Sequence, residues 1–443
     1  MLKKELESRT VGILESKSEA DNLSPFEKEY RDLYKSVKER GLMQAKYVFI
    51  CLLTTLSQGS KSYLEQINLI CFLYLYFFSL YSPFYYIYKV SFNLSMLAFA
   101  AYLTINYDAL YIKMIGAFLV ALFWQQCGWL AHDFAHHQVF KNRLYNDMMV
   151  LFVGNFCQAF SLDWWKNKHN THHAIPNLHE SAPEAHDGDP DIDTLPFLAW
   201  SKKLVQKTLP GGAAASNFSA FCVRHQAFLY FPILFFARIT WVLQSLSYAF
   251  GISLGFFGSE VDKQKEVAKA LENRSINNGE QVMVNSLRYP IAERILLICH
   301  WAWYFTLAFG PWNTLPVGLL YFFVSQTFSG LLLAIAFGVG HNGMEVFDAD
   351  NHPGFAELQV RTTRNVHDNY LNGWFMGGLH YQVEHHLFPM IPRHNLYKVR
   401  DEVVALCKKH KVPYRCTGLW EGTIEVLSYL GNVTKTLNEF PAA

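Results

Sequence analysis

Charge is scarce in this sequence: Asp, Glu, Lys and Arg make up 17% of its 443 residues, against about a quarter in soluble globular chains. Neither sign prevails. With 38 basic side chains against 37 acidic ones there is no field to draw in a polyanion, so nucleic acid is not an expected partner. The eight cysteines include no C-x-x-C pair, which argues against a disulfide framework, a zinc ribbon and a c-type haem attachment. Residues 1–48 are charged and mixed in sign, without the basic start and apolar core of a secretory signal, and read as cytosolic. There is no internal repeat and no low-complexity tract. Histidine is missing altogether before His132.

What is present in excess is apolar. Hydrophobic residues are 51% and aromatics 16%, a profile of membrane immersion that excludes a disordered scaffold, a collagen-like fibre and a coiled-coil rod. Apolar stretches fall at Ile67–Tyr88, Val90–Ile105, Ala109–Ala131, Met148–Phe160, Phe228–Phe257, Ile291–Phe309 and Leu315–Val339. A crossing needs roughly 20 apolar residues, which Ala109–Ala131, Leu315–Val339 and Ile67–Tyr88 meet best. Met148–Phe160 is too short and is expected to be re-entrant or interfacial. Phe228–Phe257 carries Arg238 and Gln244, costly in hydrocarbon, and is expected as a membrane-surface helix. Ser259–Arg288 reads as an exposed linker. Beyond His341 nothing is long enough to cross, so the rest of the chain is expected on one side of the bilayer.

The histidines carry the chemistry. Eighteen occur, eight of them between His132 and His186 and seven between His341 and His394. His132 and His136 stand at i and i+4; His169, His172 and His173 at i, i+3 and i+4; Gln382, His385 and His386 repeat that second spacing with an amide first. Each set lies on one helix face. Imidazole suits iron, copper, zinc and nickel, and three such sets can hold more than one ion. Zinc protease chemistry is disfavoured, because Asp133 rather than glutamate follows His132. Two ions can be shared only if the three sets meet on one face, which requires an even number of crossings between the second set and the third. Ile291–Phe309 and Leu315–Val339 supply that pair, and Lys141, Arg143, Lys166 and Lys168 place the sets on the cytosolic side.

At these residues the sequence resembles the membrane-bound fatty acyl desaturases, and within them the front-end desaturases. The resemblance is carried by Trp124-Gln125-Gln126-Cys127-Gly128-Trp129-Leu130-Ala131 before the first set, by Trp164-Trp165-Lys166-Asn167-Lys168 before the second, and by Gly377-Gly378 and Leu387-Phe388-Pro389 around the third. It covers about residues 89–430, and Gln382 is its front-end mark. It implies an all-α membrane protein of about four transmembrane helices, Ile67–Tyr88 being surplus, with a cytosolic helical cap over a histidine-ligated di-iron site. The expected organisation is residues 1–88 as a charged segment plus the surplus apolar one, 89–430 as the desaturase domain and 431–443 as a tail.

Carried over by resemblance, His132, His136, His169, His172, His173, Gln382, His385 and His386 are the expected catalytic and metal-binding set, with His341 as a further metal ligand and no organic cofactor. Gly340 stands where relatives commonly have asparagine. His137 is a weaker candidate, His380 a supporting or local residue, and the other histidines structural or surface. Asp187-Gly188-Asp189-Pro190-Asp191-Ile192-Asp193 reads as a solvated loop rather than a calcium site, and the resemblance adds a supporting role for Asp-Pro-Asp beside the second set. Trp164 and Trp165 are candidate walls of an acyl tunnel.

The implied reaction is insertion of a cis double bond, at Δ6 by closest subgroup, into a polyunsaturated acyl chain on CoA or phospholipid. It would use O₂ and two electrons from a separate cytochrome b5 and its reductase, at the endoplasmic reticulum. The alternatives are a Δ5 or a Δ8, sphingolipid-type, desaturase, a di-iron lipid hydroxylase and, outside enzymes, a histidine-rich metal transporter.

Overall fold

Two long antiparallel helix pairs organise the molecule. The computed structural model describes residues 23–43, 82–180, 188–209, 212, 215–252 and 287–439. Of the earlier expectations, Ile67–Tyr88 lies outside the described residues apart from its last seven, and Ser259–Arg288 lies outside them apart from 287 and 288.

A docked helix α1 (Pro25–Glu39) precedes the first pair, α2 (Ser82–Asn106) and α3 (Leu110–Ala135). Then come α4 (Arg143–Val150), continued as a π-helical segment Leu151–Gln158, α5 (Leu162–Ala174), α6 (Gln226–Phe235) and α7 (Ala237–Phe250). The second pair is α8 (Pro290–Phe309) and α9 (Leu315–His341). Beyond it lie α10 (Phe355–Arg361), α11 (Gln382–Leu387), α12 (Tyr397–His410) and α13 (Leu419–Lys435). Among the described residues the one sheet pairs two-residue strands in parallel, β1 (Asn365–Val366) with β2 (Cys416–Thr417). The expectation of a helical protein therefore holds.

At 26 and 27 residues, α3 and α9 are long and apolar enough to cross a bilayer. They pack on each other, and small residues let them approach. A side chain at Gly128 would come within 3.1 Å of Leu333. The pairs expose Phe99, Tyr111, Ile291, Ile298, Leu319 and Phe323, large apolar side chains suited to contact with lipid.

Of the stretch expected as one surface helix, Phe228–Phe257, the described residues 228–252 fall in two helices meeting at 59°. The bend is at Phe236, where α9 comes close: a Cβ on Gly330 would lie 2.7 Å from the Phe235 carbonyl and 3.0 Å from the Arg238 nitrogen. Arg238 is, with Gln244, one of the two groups that argue for the surface. It is fully buried, its guanidinium 3.8 Å from the Trp124 ring. Met148–Phe160, judged too short to cross, forms the end of α4 and the π-helical segment. Left-handed Ala159 (φ 68°) ends that segment.

α1 packs on α10 and α12, and Phe26, Tyr30 and Val37 join the core around Val383, Leu387 and Phe388. The Tyr30 hydroxyl donates to the Leu387 carbonyl at 2.8 Å, and the Glu27 carboxylate accepts from the Ala356 amide at 2.7 Å at the start of α10.

Candidate metal centre

Four helix ends converge on one point. α3 finishes with His132 one turn from its end and His136 at its C-cap, and the left-handed His137 (φ 57°) then turns the chain away. α5 starts with Ser161, whose hydroxyl accepts from the Trp164 amide at 3.2 Å, and it brings His169, His172 and His173 to its last two turns. α9 ends on His341. The short α11 contributes Gln382, His385 and His386, and Asn365 holds it in place: its Oδ1 accepts from the Val383 amide at 2.8 Å and its Nδ2 donates to Glu384 at 2.7 Å.

These side chains form two adjoining groups, both buried. His132, His136, His169, His173 and His385 place one ring nitrogen each within 4.8 Å of all the others, and His172, His341 and His386 do the same. In the first group Nε2 atoms of successive pairs lie 3.0 Å apart (His132 and His385), 2.9 Å (His136 and His169), 3.0 Å (His169 and His173) and 3.1 Å (His173 and His385). Nitrogens about 2.1 Å from a shared ion lie roughly 3.0 Å apart at right angles and 4.2 Å when opposite, so the spacing fits a metal. In the second group Nε2 of His172 and His341 are 3.3 Å apart, and Nε2 of buried His386 has no hydrogen-bond partner among the described residues. The side-chain amide of Gln382 lies 2.7 Å from His341 Nε2. A side chain at residue 340 would come within 3.2 Å of the Gln382 Cγ, so Gly340 makes room for that glutamine.

Burial and the neighbouring imidazoles hold the pKa values of His169, His173, His385 and His386 well below the ordinary value; for His136 burial acts with His132, His137 and Lys166. These rings stay neutral, the form that coordinates a metal. His172 goes the other way. Burial lowers its pKa, but Asp189 and Asp191 outweigh that and raise it to about 8.

A second ring of contacts fixes the imidazoles. His132 Nδ1 lies 3.2 Å from Asp133 Oδ1, and Asp133 also accepts from the Tyr86 hydroxyl at 2.5 Å and from Arg393. His172 Nδ1 donates to Asp189 at 2.9 Å. His386 Nδ1 donates to Gln359 at 2.8 Å, and Gln359 donates to the His173 carbonyl at 3.1 Å. His341 Nδ1 donates to the Thr362 carbonyl at 3.3 Å. Trp165 stacks on His169 with ring centroids 4.1 Å apart.

The structure thus gathers all nine side chains singled out from sequence. His137 is not among them: its Nε2 lies 3.4 Å from Lys166 Nζ. His380 pairs with Asp368 at 3.2 Å, and His300 donates to the Phe156 carbonyl at 2.9 Å. The Asp-Pro-Asp stretch does support the second set, through Asp189. Sequence reasoning missed Tyr86, Arg393 and Gln359, and used Asp133 only to dismiss a protease motif.

The sequence profile of the fatty acid desaturases matches residues 109–418. The chain is 33% identical over 362 residues to an acyl-lipid (9-3)-desaturase of Physcomitrium patens, an alignment that covers 81% of this chain and 60% of that protein. It is 35% identical over 366 residues to a Δ8 fatty acid desaturase of Euglena gracilis, covering 82% and 76% of the two chains. It is also 35% identical over 358 residues to a Δ6 fatty acid desaturase of Caenorhabditis elegans, covering 79% and 70%. The chain belongs to the fatty acid desaturase family. Within it, its relatives place it in the front-end branch, and the two buried histidine groups fit a di-iron site.

Proposed function

We propose that this chain is a Δ6 front-end acyl desaturase of the endoplasmic reticulum. It acts on a polyunsaturated chain carried by CoA or phospholipid, with a separate cytochrome b5 and its reductase supplying electrons and with the site facing the cytosol. The carrying observation is the pair of adjoining buried imidazole groups, five rings and three, at the ends of α3, α5, α9 and α11. His132, His136, His169, His173 and His385 would hold one iron, and His172, His341 and His386 the second, with Gln382 beside it.

An unactivated methylene has neither an acidic proton nor an electrophilic carbon, so side-chain acids and bases cannot attack it. Bound iron would supply the oxidising power, O₂ taking two hydrogens from the chain together with two electrons and two protons and leaving as two waters beside the alkene. The protein's own part is positional. Asp133, Asp189, Gln359 and the Thr362 carbonyl fix the Nδ1 side of four imidazoles so that each Nε2 points inward. Trp165 covers His169 and also packs edge-on against His132 and His136, which shields that side of the site from water.

The experiment is expression in yeast fed linoleic and α-linolenic acids, with mass spectrometry of the lipids. A new Δ6 alkene is the expected product; Δ5 or Δ8 products would reassign the position, and a hydroxy acid would overturn desaturation.

A further inference from the structure

Behind the metal centre stand two helices too short to hold their shape alone. α10 has seven residues and α11 six, well under the length at which a helix is stable by itself. The second histidine group nevertheless depends on both. Gln359 of α10 accepts from His386 Nδ1 at 2.8 Å, and Thr362, which caps α10, offers its carbonyl to His341 Nδ1 at 3.3 Å. His386 itself stands on α11. Two of the three rings in the group of His172, His341 and His386 are therefore set by these helices, whereas His132, His136 and His169 of the other group are carried by α3 and α5.

What fixes α10 and α11 is α1. The Glu27 carboxylate accepts from the amides of Ala356 at 2.7 Å and Glu357 at 3.2 Å, two of the N–H groups that the first turn of α10 leaves without a helical partner. Glu27 is 5% exposed, and Gly354 makes room for it: a Cβ there would lie 2.7 Å from Glu27 Oε1. Three residues on, the Tyr30 hydroxyl donates at 2.8 Å to the carbonyl of Leu387, the last residue of α11. The Tyr30 ring meets Phe355 at the start of α10 and Phe388 just past α11, with centroids 6.4 Å and 5.8 Å away, and Tyr34 stacks on Phe388 at 6.0 Å. Glu27, Tyr30 and Tyr34 recur at i, i+3 and i+7, on one face of α1. A single helix thus ties the start of α10 to the end of α11. It lies upstream of residues 109–418, to which the family profile is confined.

Resting on the di-iron reading above, we propose that α1 is a clamp on the metal centre, with Glu27 and Tyr30 as positioning residues that govern how firmly the group of His172, His341 and His386 retains its ion. Freed from α1, α10 loses the cap at its start and α11 the tether at its end. Gln359, Thr362 and His386 then shift together and the three-ring group loosens, while the five-ring group keeps His132, His136 and His169 on other helices.

The test uses the full chain purified with its iron, and follows both transfer of iron to excess chelator and amide hydrogen exchange read by mass spectrometry. Tyr30→Phe keeps the ring and removes one buried hydrogen bond, which corresponds to roughly fivefold in an equilibrium. One iron per chain is expected to leave about fivefold faster than in the wild type, and the other at the wild-type rate. Exchange should quicken by a similar factor over residues 383–388 and stay unchanged over 132–136. Glu27→Ala should act in the same way, whereas Glu27→Gln, which keeps a carbonyl acceptor, should stay near wild type. Should Tyr30→Phe not fold, Glu27→Ala takes its place. Wild-type iron release and exchange in the variant would overturn the proposal, and so would equal acceleration of both irons, the mark of general destabilisation.

If the wild type retains no iron, the di-iron reading fails, and hydrogen exchange alone decides the clamp. Faster exchange confined to residues 355–361 and 383–388 upholds it. Unchanged exchange there overturns it.

Discussion

The carboxylate of Asp189 accepts from Nδ1 of His172 at 2.9 Å while its other contacts, the backbone amides of Asn177 at 2.7 Å and Asp191 at 2.9 Å, hold it still. The imidazole is thereby fixed with Nε2 facing His341. Asp189→Asn should lower activity by about 10- to 100-fold, the usual cost of losing the partner behind a metal-binding histidine. Metal analysis should show iron loss chiefly from the group of His172, His341 and His386. Unchanged iron and turnover would remove Asp189 from the account.

Arg393 bridges the first group to the body of the protein, donating to Asp133 and to the Trp129 carbonyl. It is buried, and the acid it pairs with is buried too. Arg393→Met leaves Asp133 as an unpaired buried carboxylate, at a cost of about 3–5 kcal/mol. A thermal melt of the purified variant checks it, and a melting temperature within a degree of wild type would contradict it.

Gly377 has φ 58°, and a Cβ there would collide with Trp129. Gly377→Ala should destabilise by about 1–3 kcal/mol from backbone strain alone, with the displacement of Trp129 in addition. Gly431, inside α13, meets nothing within 4 Å, so Gly431→Ala should be neutral or stabilising by up to about 1 kcal/mol. Melting curves of the two variants side by side decide whether the collision or glycine replacement as such matters.

The pattern of the helices and the histidine sets was legible because both are local. Apolar runs gave α3 and α9, and spacing of three and four put His169, His172 and His173 on one face. What was not legible depends on distant packing. Gln359 supports His386 across 27 residues, and no periodicity announces it. Arg238 misled for the same reason: in sequence it is a charge in an apolar run, while in the fold an aromatic ring on α3 and an amide on α9 receive it. The docking of α1 against α10 and α12 likewise rests on contacts more than 300 residues apart, such as Tyr30 with Leu387.

Acid should weaken the ion-free protein. Burial keeps His136, His169, His173, His385 and His386 neutral well below the ordinary value, while in the unfolded chain they take up protons near pH 6.5. The unfolded state therefore binds more protons as pH falls below about 6.5, and stability drops. His172, raised to about 8, works oppositely: its contribution is complete below about 6.5 and is lost as pH rises through 8. Five groups outweigh one, so denaturant unfolding of chelator-treated protein should show stability falling from pH 7 to pH 5. A flat profile would contradict the assignment of these rings as neutral.

The most direct measurement is the iron content of protein purified without added chelator, alongside His385→Ala and His172→Ala. About two irons per chain are expected in the wild type, with each variant losing iron and turnover together. Wild-type protein without stoichiometric iron, or either variant retaining full turnover, would contradict the di-iron centre.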